Sequence, residues 1–368
     1  MQIRDFRITR FQFPRDRVIG DSQVRTEMVS VAALELIDAR GQSGLGFMQS
    51  LFTPLPDSAE LERLFLQDLW PALEGQHPAG LVHRVSRPRG GNQRGPALPA
   101  HEAVQVALWD LLSKQLGLPL WRVLGGDGTP RVPAYASGLD FHLDDDAFCA
   151  LFGAADAQGY SAFKIKVGHP DFARDLHRLD LLRRTVRKDA RIMVDANEAW
   201  GAKEAAVKIT AMREAGFALT WVEDPILRND YDGLRLLRQA LPFTMINSGE
   251  YLDAAGKLAL MQAGGTDILN VHGQITDVMR VAWVAAEWGV PVSLGNTFLE
   301  VGAHLALALP EVRWLEYSFQ NFDHLVERPI AIRNGMVEVP EEPGHGLILR
   351  DAAVSQAGRG SLPGPAAS

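Results

Sequence analysis

Phe163-Lys164-Ile165-Lys166, Ile192-Met193-Val194-Asp195, Trp221-Val222-Glu223 and Met245-Ile246-Asn247-Ser248-Gly249-Glu250 are four short apolar runs, each closed by a charged residue. The closing charges, Lys166, Asp195, Glu223 and Glu250, follow one another at intervals of 29, 28 and 27 residues. A strand, its loop, a helix and the return take about 30 residues. The stretch therefore reads as successive parallel strands that point functional groups at one common face.

The same alternation extends on both sides. Strands are predicted over Val132–Ala136, Ala162–Lys166, Arg191–Asp195, Thr220–Glu223, Phe243–Ser248, Asp267–Val271, Pro291–Leu294 and Trp314–Glu316. Helices follow the first seven, over Asp144–Gln158, Phe172–Arg187, Gly201–Glu214, Tyr231–Ala240, Leu252–Gln262, Ile275–Glu287 and Val301–Leu309. Strict alternation of this kind predicts an α/β parallel barrel. A solenoid shares the period, but loop lengths vary and no repeat motif is present. No eighth helix is legible after Glu316.

Upstream, Ile8–Phe13, Met28–Ile37 and Leu45–Phe47 alternate like antiparallel strands, with Pro14–Thr26 read as a polar loop. Pro54–Leu73 reads as a helix with Asp57-Ser58 near its start. Arg84–Pro99 reads as an exposed loop whose four arginines are solvated. His101–Leu116 is a helix stopped by Gly117-Leu118-Pro119. Residues 326–368 read as short strand-like pieces and a Gly/Pro/Ala tail. The expected division is a capping region over 1–128, a barrel over 129–325 and a C-terminal segment over 326–368.

A net charge of −8 argues against nucleic acid as a partner, since phosphate binding needs a basic face. Cys149 is the single cysteine, which excludes an intrachain disulfide and suits a reducing cytoplasm. Met1-Gln2-Ile3-Arg4-Asp5 lacks the apolar core of a secretory leader, and no apolar run approaches the ~20 residues that span a bilayer. A cytoplasmic protein with no membrane contact is expected.

Active sites of parallel barrels lie at the C-terminal ends of the strands. Lys166, Asp195, Glu223 and Glu250 should converge there. Each acid alone would serve as a helix N-cap. Three closing consecutive strands read better as ligands of a hard divalent cation, and Mg2+ takes such oxygens while leaving positions for substrate and water. Asn197 stands two residues past Asp195 and would support the site. Lys164 and Lys166 share one strand face. Lys166, beside a metal and a second ammonium, is expected to have its pKa lowered toward ~7–8 and to act as a base. Lys164 would then neutralise charge growing on a substrate oxygen. The alternative is a pair of structural ion pairs with the carboxylates. Together these groups suggest proton removal next to a substrate carboxylate, a pattern known from enolase-type sites.

At these residues the chain resembles the enolase superfamily, in its mandelate racemase/muconate lactonizing branch. Glu102–Lys114 is similar to the family's capping-domain helix, and Leu118–Gly126 to the segment that ends that domain. Lys164-Ile165-Lys166 resembles the family's Lys-x-Lys. Asp195-Ala196-Asn197, Glu223-Asp224-Pro225 and Gly249-Glu250 resemble its three metal-ligand motifs. The resemblance implies a modified (β/α)7β TIM-type barrel with an α+β capping domain built from the N-terminal region and the C-terminal segment. It also implies that Arg15–Thr26 and Met48–Leu55 cover the site and select substrate. Glu316 matches a glutamate that hydrogen-bonds the substrate carboxylate, and homo-oligomers are common in the family.

The departures lie further along. The branch's racemases and many of its acid-sugar dehydratases carry an Asp-His dyad after the sixth and seventh strands. Here those strands end in Val271-His272-Gly273 and Leu294-Gly295-Asn296. Registered on the strand, His272 takes the place of the dyad Asp and is the candidate replacement acid. Asn296 would orient substrate hydroxyls. A missing second base weakens racemisation and leaves one-sided chemistry. The expected activity is Mg2+-dependent dehydration of a small-molecule, acid-sugar carboxylate to a 2-keto-3-deoxy acid. A racemase, epimerase or cycloisomerase is the enzymatic alternative, and a catalytically reduced metal- and carboxylate-binding barrel the non-enzymatic one.

Overall fold

The computed structural model describes residues 1–50, 54–85, 100–295, 299–318 and 323–353. The expected arginine loop therefore lies almost wholly outside the described residues, as do Asn296 and the Gly/Pro/Ala tail.

The N-terminal strands β1 (Ile3–Gly20), β2 (Arg25–Asp38) and β3 (Ser43–Ser50) form an antiparallel sheet. The expected Pro14–Thr26 loop is a correction. β1 runs on to Gly20, β2 begins at Arg25, and pairing resumes at Ile19↔Thr26. Residues 15–26 are mostly polar, and residues 15–18 leave the ladder, so no period-two pattern marks the strand in the sequence. Helix α1 (Ser58–Asp68) starts at Asp57, whose side chain accepts the Glu60 N–H. Helix α2 (Ala100–Leu116) is buried over Ala103–Ser113, between this sheet and the barrel. Gly44 and Gly46 permit that approach, since a Cβ on either would come 2.1 Å from the carbonyl oxygen of Ala107 or Ala103. The short α3 (Leu120–Val123) follows.

The expected strand Val132–Ala136 is two. β4 (Arg131–Pro133) joins a small sheet, and β5 (Tyr135–Ser137) opens the barrel. Then come β6 (Ala162–Lys166), β7 (Arg191–Asp195), β8 (Leu219–Glu223), β9 (Met245–Ser248), β10 (Ile268–Val271), β11 (Val292–Leu294) and β12 (Val312–Tyr317). These eight strands close in chain order, with β12 against β5. Between them lie α4 (Asp145–Ala157), α5 (Phe172–Thr185), α6 (Ala202–Glu214), α7 (Tyr231–Ala240), α8 (Ala254–Gln262), α9 (Ile275–Glu287) and α10 (Leu299–Ala308). The first helical element described after β12 is a 3-10 turn, Asp323–Leu325. No described helix is long and apolar enough to cross a membrane.

Alternation along the strands sorts the barrel interior into layers. Tyr135, Ala162, Met193, Trp221 and Ile268 form an apolar plug, joined by Met245 and Trp314. Trp221 stands edge-on to Tyr135 and Trp314, with centroids 5.4 and 4.6 Å away. Two residues further along these strands stand Ser137, Lys164, Asp195, Glu223 and Glu316. The plug thus supports a charged layer and seals it from below.

The C-terminal strands β13 (Ile332–Arg333) and β14 (Met336–Glu338) pair with each other and with β4. Beyond them the chain reaches the N-terminal sheet, where Leu347 joins Phe11, Phe13, Val31 and Phe47. The His345 N–H donates to Asp110 Oδ1 at 2.8 Å, and Asp110 Oδ2 accepts the Leu45 N–H at 2.8 Å and Lys114 Nζ at 2.7 Å. His304, on α10, is buried and accepts the Trp121 N–H on Nδ1.

Candidate active site

Lys166, Asp195 and Glu223 stand at one level on neighbouring strands, in the registers Lys166↔Asp195 and Asp195↔Glu223. The next residue at that level is Asn247, not Glu250. Glu250 lies beyond β9 and is brought in by Gly249, whose φ of +107° an L side chain rarely adopts. None of the three acids caps a helix. The helices after their strands begin at Gly201, Asp230 and Asp253. The acids are free for other work.

Lys164 Nζ lies 2.9 and 2.8 Å from the two Glu223 oxygens and 3.0 Å from Glu316 Oε1. Lys166 Nζ lies 2.5 Å from Asp195 Oδ2. All of these side chains are buried. They share a pocket with Glu250, Asn197 and Tyr251, walled by Ile19, Val24 and Leu139.

The charges do not balance. Asp21, Asp195, Glu223, Glu250 and Glu316 line the pocket against Lys164 and Lys166. Burial would raise the Asp195 carboxyl, but Lys166 and Lys164 hold it below the usual range. Burial also acts on Glu223, and with Asp195, Glu316 and Glu250 it outweighs Lys164 and pushes the carboxyl well up. Glu250 is raised by burial against the pull of Arg228. Burial, with Lys164, draws Lys166 down, yet Asp195, Asp21 and Glu223 together outweigh them, and its net shift is upward. The nearest charge to Lys166 is thus a carboxylate, whereas the expected lowering concerns a site that holds a cation.

As arranged, no three acidic, His or Cys side chains among the described residues enclose a metal position. The ammoniums take the carboxylate oxygens instead. The donor set nevertheless fits a hard dication, because negative charge exceeds positive and acceptors exceed donors. Asn197 Oδ1 and Asn247 Oδ1 are buried and accept no hydrogen bond. Asn197 lines the pocket in a left-handed conformation, φ 45°, and its N–H holds Asp195 Oδ1 at 2.9 Å. Oxygen-rich sites with such a surplus suit Mg2+.

A buried outer layer steadies the acids. Asp224 accepts Ser248 Oγ at 2.6 Å and pairs with Arg228 Nη2 at 3.2 Å. Arg228 also binds Glu198 through Nε at 2.8 Å and lies 4.8 Å over the Tyr251 ring.

The hairpin tip between β1 and β2 closes the mouth. Asp21 Oδ1 accepts the Gln23 and Val24 N–H groups. The Gln23 amide donates to the Asn197 carbonyl, and Gly20 N–H donates to Leu139 O at 3.0 Å. Of the expected Met48–Leu55 cover, residues 51–53 lie outside the described residues and the others do not line the pocket. His272 is not in the described lining. Its ring packs 5.2 Å from Tyr251, and its Nε2 lies 3.9 Å from Glu102. Sequence analysis missed Tyr251, Leu139 and Ser318 as lining. Only Tyr251, next to Glu250, carried a local signal.

The enolase C-terminal domain-like family model matches residues 150–353. The chain belongs to the enolase superfamily, in its mandelate racemase/muconate lactonizing branch. The crystal structure of a provisionally named mandelate racemase from Mesorhizobium loti is 62% identical, with a TM-score of 0.92, over 97% of this chain and 94% of that one. A 3,6-anhydro-alpha-L-galactonate cycloisomerase from Streptomyces coelicolor is 30% identical over 80% of this chain and 77% of its own length. An L-talarate dehydratase from Polaromonas sp. JS666, solved with Mg and L-glucarate, is 29% identical, with a TM-score of 0.81, over 96% of each chain. Enzymes of this superfamily thus surround the chain, with racemase, cycloisomerase and dehydratase names among them.

Proposed function

We propose that this protein is a Mg2+-dependent enzyme that removes the α-proton of a carboxylate substrate to form an enediolate. The observation that carries this reading is the convergence of Lys166 and Lys164 with Asp195, Glu223 and Glu250 at one sealed barrel mouth. Asp195, Glu223 and Glu250 would hold the ion, which when bound supplies positive charge to polarise the substrate carboxylate. Lys166 takes the proton from the adjacent carbon through Nζ. Lys164 keeps its ammonium beside the developing oxyanion, and Glu316 holds that ammonium in place. The hairpin tip and the apolar plug exclude water from both ends of the pocket.

The leading reaction is dehydration of an acid sugar to a 2-keto-3-deoxy acid. A cycloisomerisation is the second reading, favoured by the relative of that name at 30% identity. Incubating acid sugars with enzyme and Mg2+ in deuterated water separates them. Dehydration removes one water and leaves a product that reacts as a 2-keto acid, whereas isomerisation keeps every heavy atom and adds only solvent deuterium. Failure of every acid tested to exchange its α-proton would sink the proposal.

A further inference from the structure

The strand that carries the hairpin tip holds two arginines that the proton-transfer chemistry does not use. β1 and β2 pair in register up to Pro14↔Met28 and again at Ile19↔Thr26. Between those pairs β1 has residues 15–18, while β2 has Glu27 alone. The extra residues leave the ladder, and bulges of this kind re-aim side chains. Arg15 and Arg17 both stand in this stretch, and Arg15 feels the charge of Arg17.

Arg17 is held against the loop that walls the pocket. Its Nη2 donates to the Gly138 carbonyl at 2.9 Å, and Gly138 precedes the lining residue Leu139. Ile19, two residues on, lines the pocket directly. Arg17 also feels Tyr317, which precedes the lining residue Ser318. Its carboxylate neighbour Asp16 stands 3.6 Å away and is 38% exposed. Arg15 has less. Its Nε and Nη2 are buried and have no hydrogen-bond partner, and Asp16 acts on it without forming an ion pair among the described residues. A mostly buried guanidinium that feels a second one, with unsatisfied N–H groups, is costly unless an anion arrives to pair with it.

We propose that Arg15 and Arg17 bind a second anionic group at the far end of the substrate, so that the enzyme takes dianionic acids. The inference rests on the proton-abstraction reading for the near carboxylate and adds the chemistry of the opposite end. Planar guanidinium forks suit a carboxylate or a phosphate ester, and both accept paired N–H donors.

Binding distinguishes this from the reaction itself. Calorimetry with Mg2+ would compare three acids of one chain length and stereochemistry: an aldonate, the corresponding aldarate, and the aldonate phosphorylated at its terminal hydroxyl. Wild-type protein is expected to bind at least one dianion about tenfold or more tighter than the aldonate. The dianion that does so identifies its distal group. Arg15→Gln should remove that preference and leave aldonate affinity within about twofold, while Arg15→Lys should restore part of it. Equal affinity for all three acids in wild type, or equal losses for mono- and dianions in Arg15→Gln, would overturn the proposal. Absence of α-proton exchange with an aldarate that binds through Arg15 would instead count against the proton-abstraction reading.

Discussion

Lys166 Nζ stands 2.5 Å from Asp195 Oδ2, and the two residues face each other in register on adjacent parallel strands. The base proposed for catalysis and the first proposed metal ligand are therefore direct partners. Any cation placed on Asp195 competes with Lys166 for that oxygen, which couples metal occupancy to the charge state of the base.

Lys166→Ala should lower α-proton exchange by about 10²–10⁴-fold, the range of a positioned acid–base group. Mg2+ binding should persist, because one competitor for Asp195 is gone. Proton NMR in deuterated water measures the exchange and a metal titration the binding. Undiminished exchange would remove Lys166 as the base.

Glu223→Gln keeps the shape of the side chain but takes one negative charge from the proposed cation site. It should weaken Mg2+ binding by at least about tenfold, roughly 1.4 kcal/mol. An unchanged titration would refute the three-carboxylate site.

His304 gives the fold an acid-sensitive point. Burial and the His345 ring lower its imidazole to about 3, against the upward pull of the His345 carbonyl and Asp110. Its neutral form is fully paired, with Nδ1 accepting from Trp121 N–H at 3.1 Å and Nε2 donating to His345 O at 3.2 Å. A folded-state value below the unfolded one means stability that is complete above about 6.5 and is lost as pH falls toward 3. Between pH 7 and pH 5 that loss should be about 2 kcal/mol. Urea titrations of wild type and His304→Asn at both pH values test it. Identical pH dependence in the two proteins would contradict the assignment.

Gly46 lies where β3 meets α2, and a Cβ there would stand 2.1 Å from Ala103 O. Gly46→Ala should destabilise the fold by about 1–3 kcal/mol, the usual cost of overpacking. A thermal melt unchanged from wild type would show that sheet and helix can separate without cost.

The barrel was legible because its signals are local. Apolar runs of four or five residues, closed by charge at intervals near 28, specify strand, direction and inward face together, and β6 and β7 match their expected bounds. Alternation with period two placed Lys164 and Lys166 on one face before any contact was known. The hairpin over the mouth was not legible. Residues 15–26 are mostly polar, and their form comes from the pairing at Ile19↔Thr26 and from contacts with Gly138, Leu139 and Asn197. His272 illustrates the same limit: its position after β10 is local, but Tyr251 beside it is a matter of packing.

Sequence alone determined which side chains could perform proton abstraction, since that follows from strand period and the chemistry of lysine and carboxylate. Tertiary structure decided what surrounds them: the Lys166–Asp195 pairing, the entry of Glu250 through Gly249, and the bulge that carries Arg15 and Arg17. These depend on distances between residues far apart in the chain, and pattern along one strand carries no information about them.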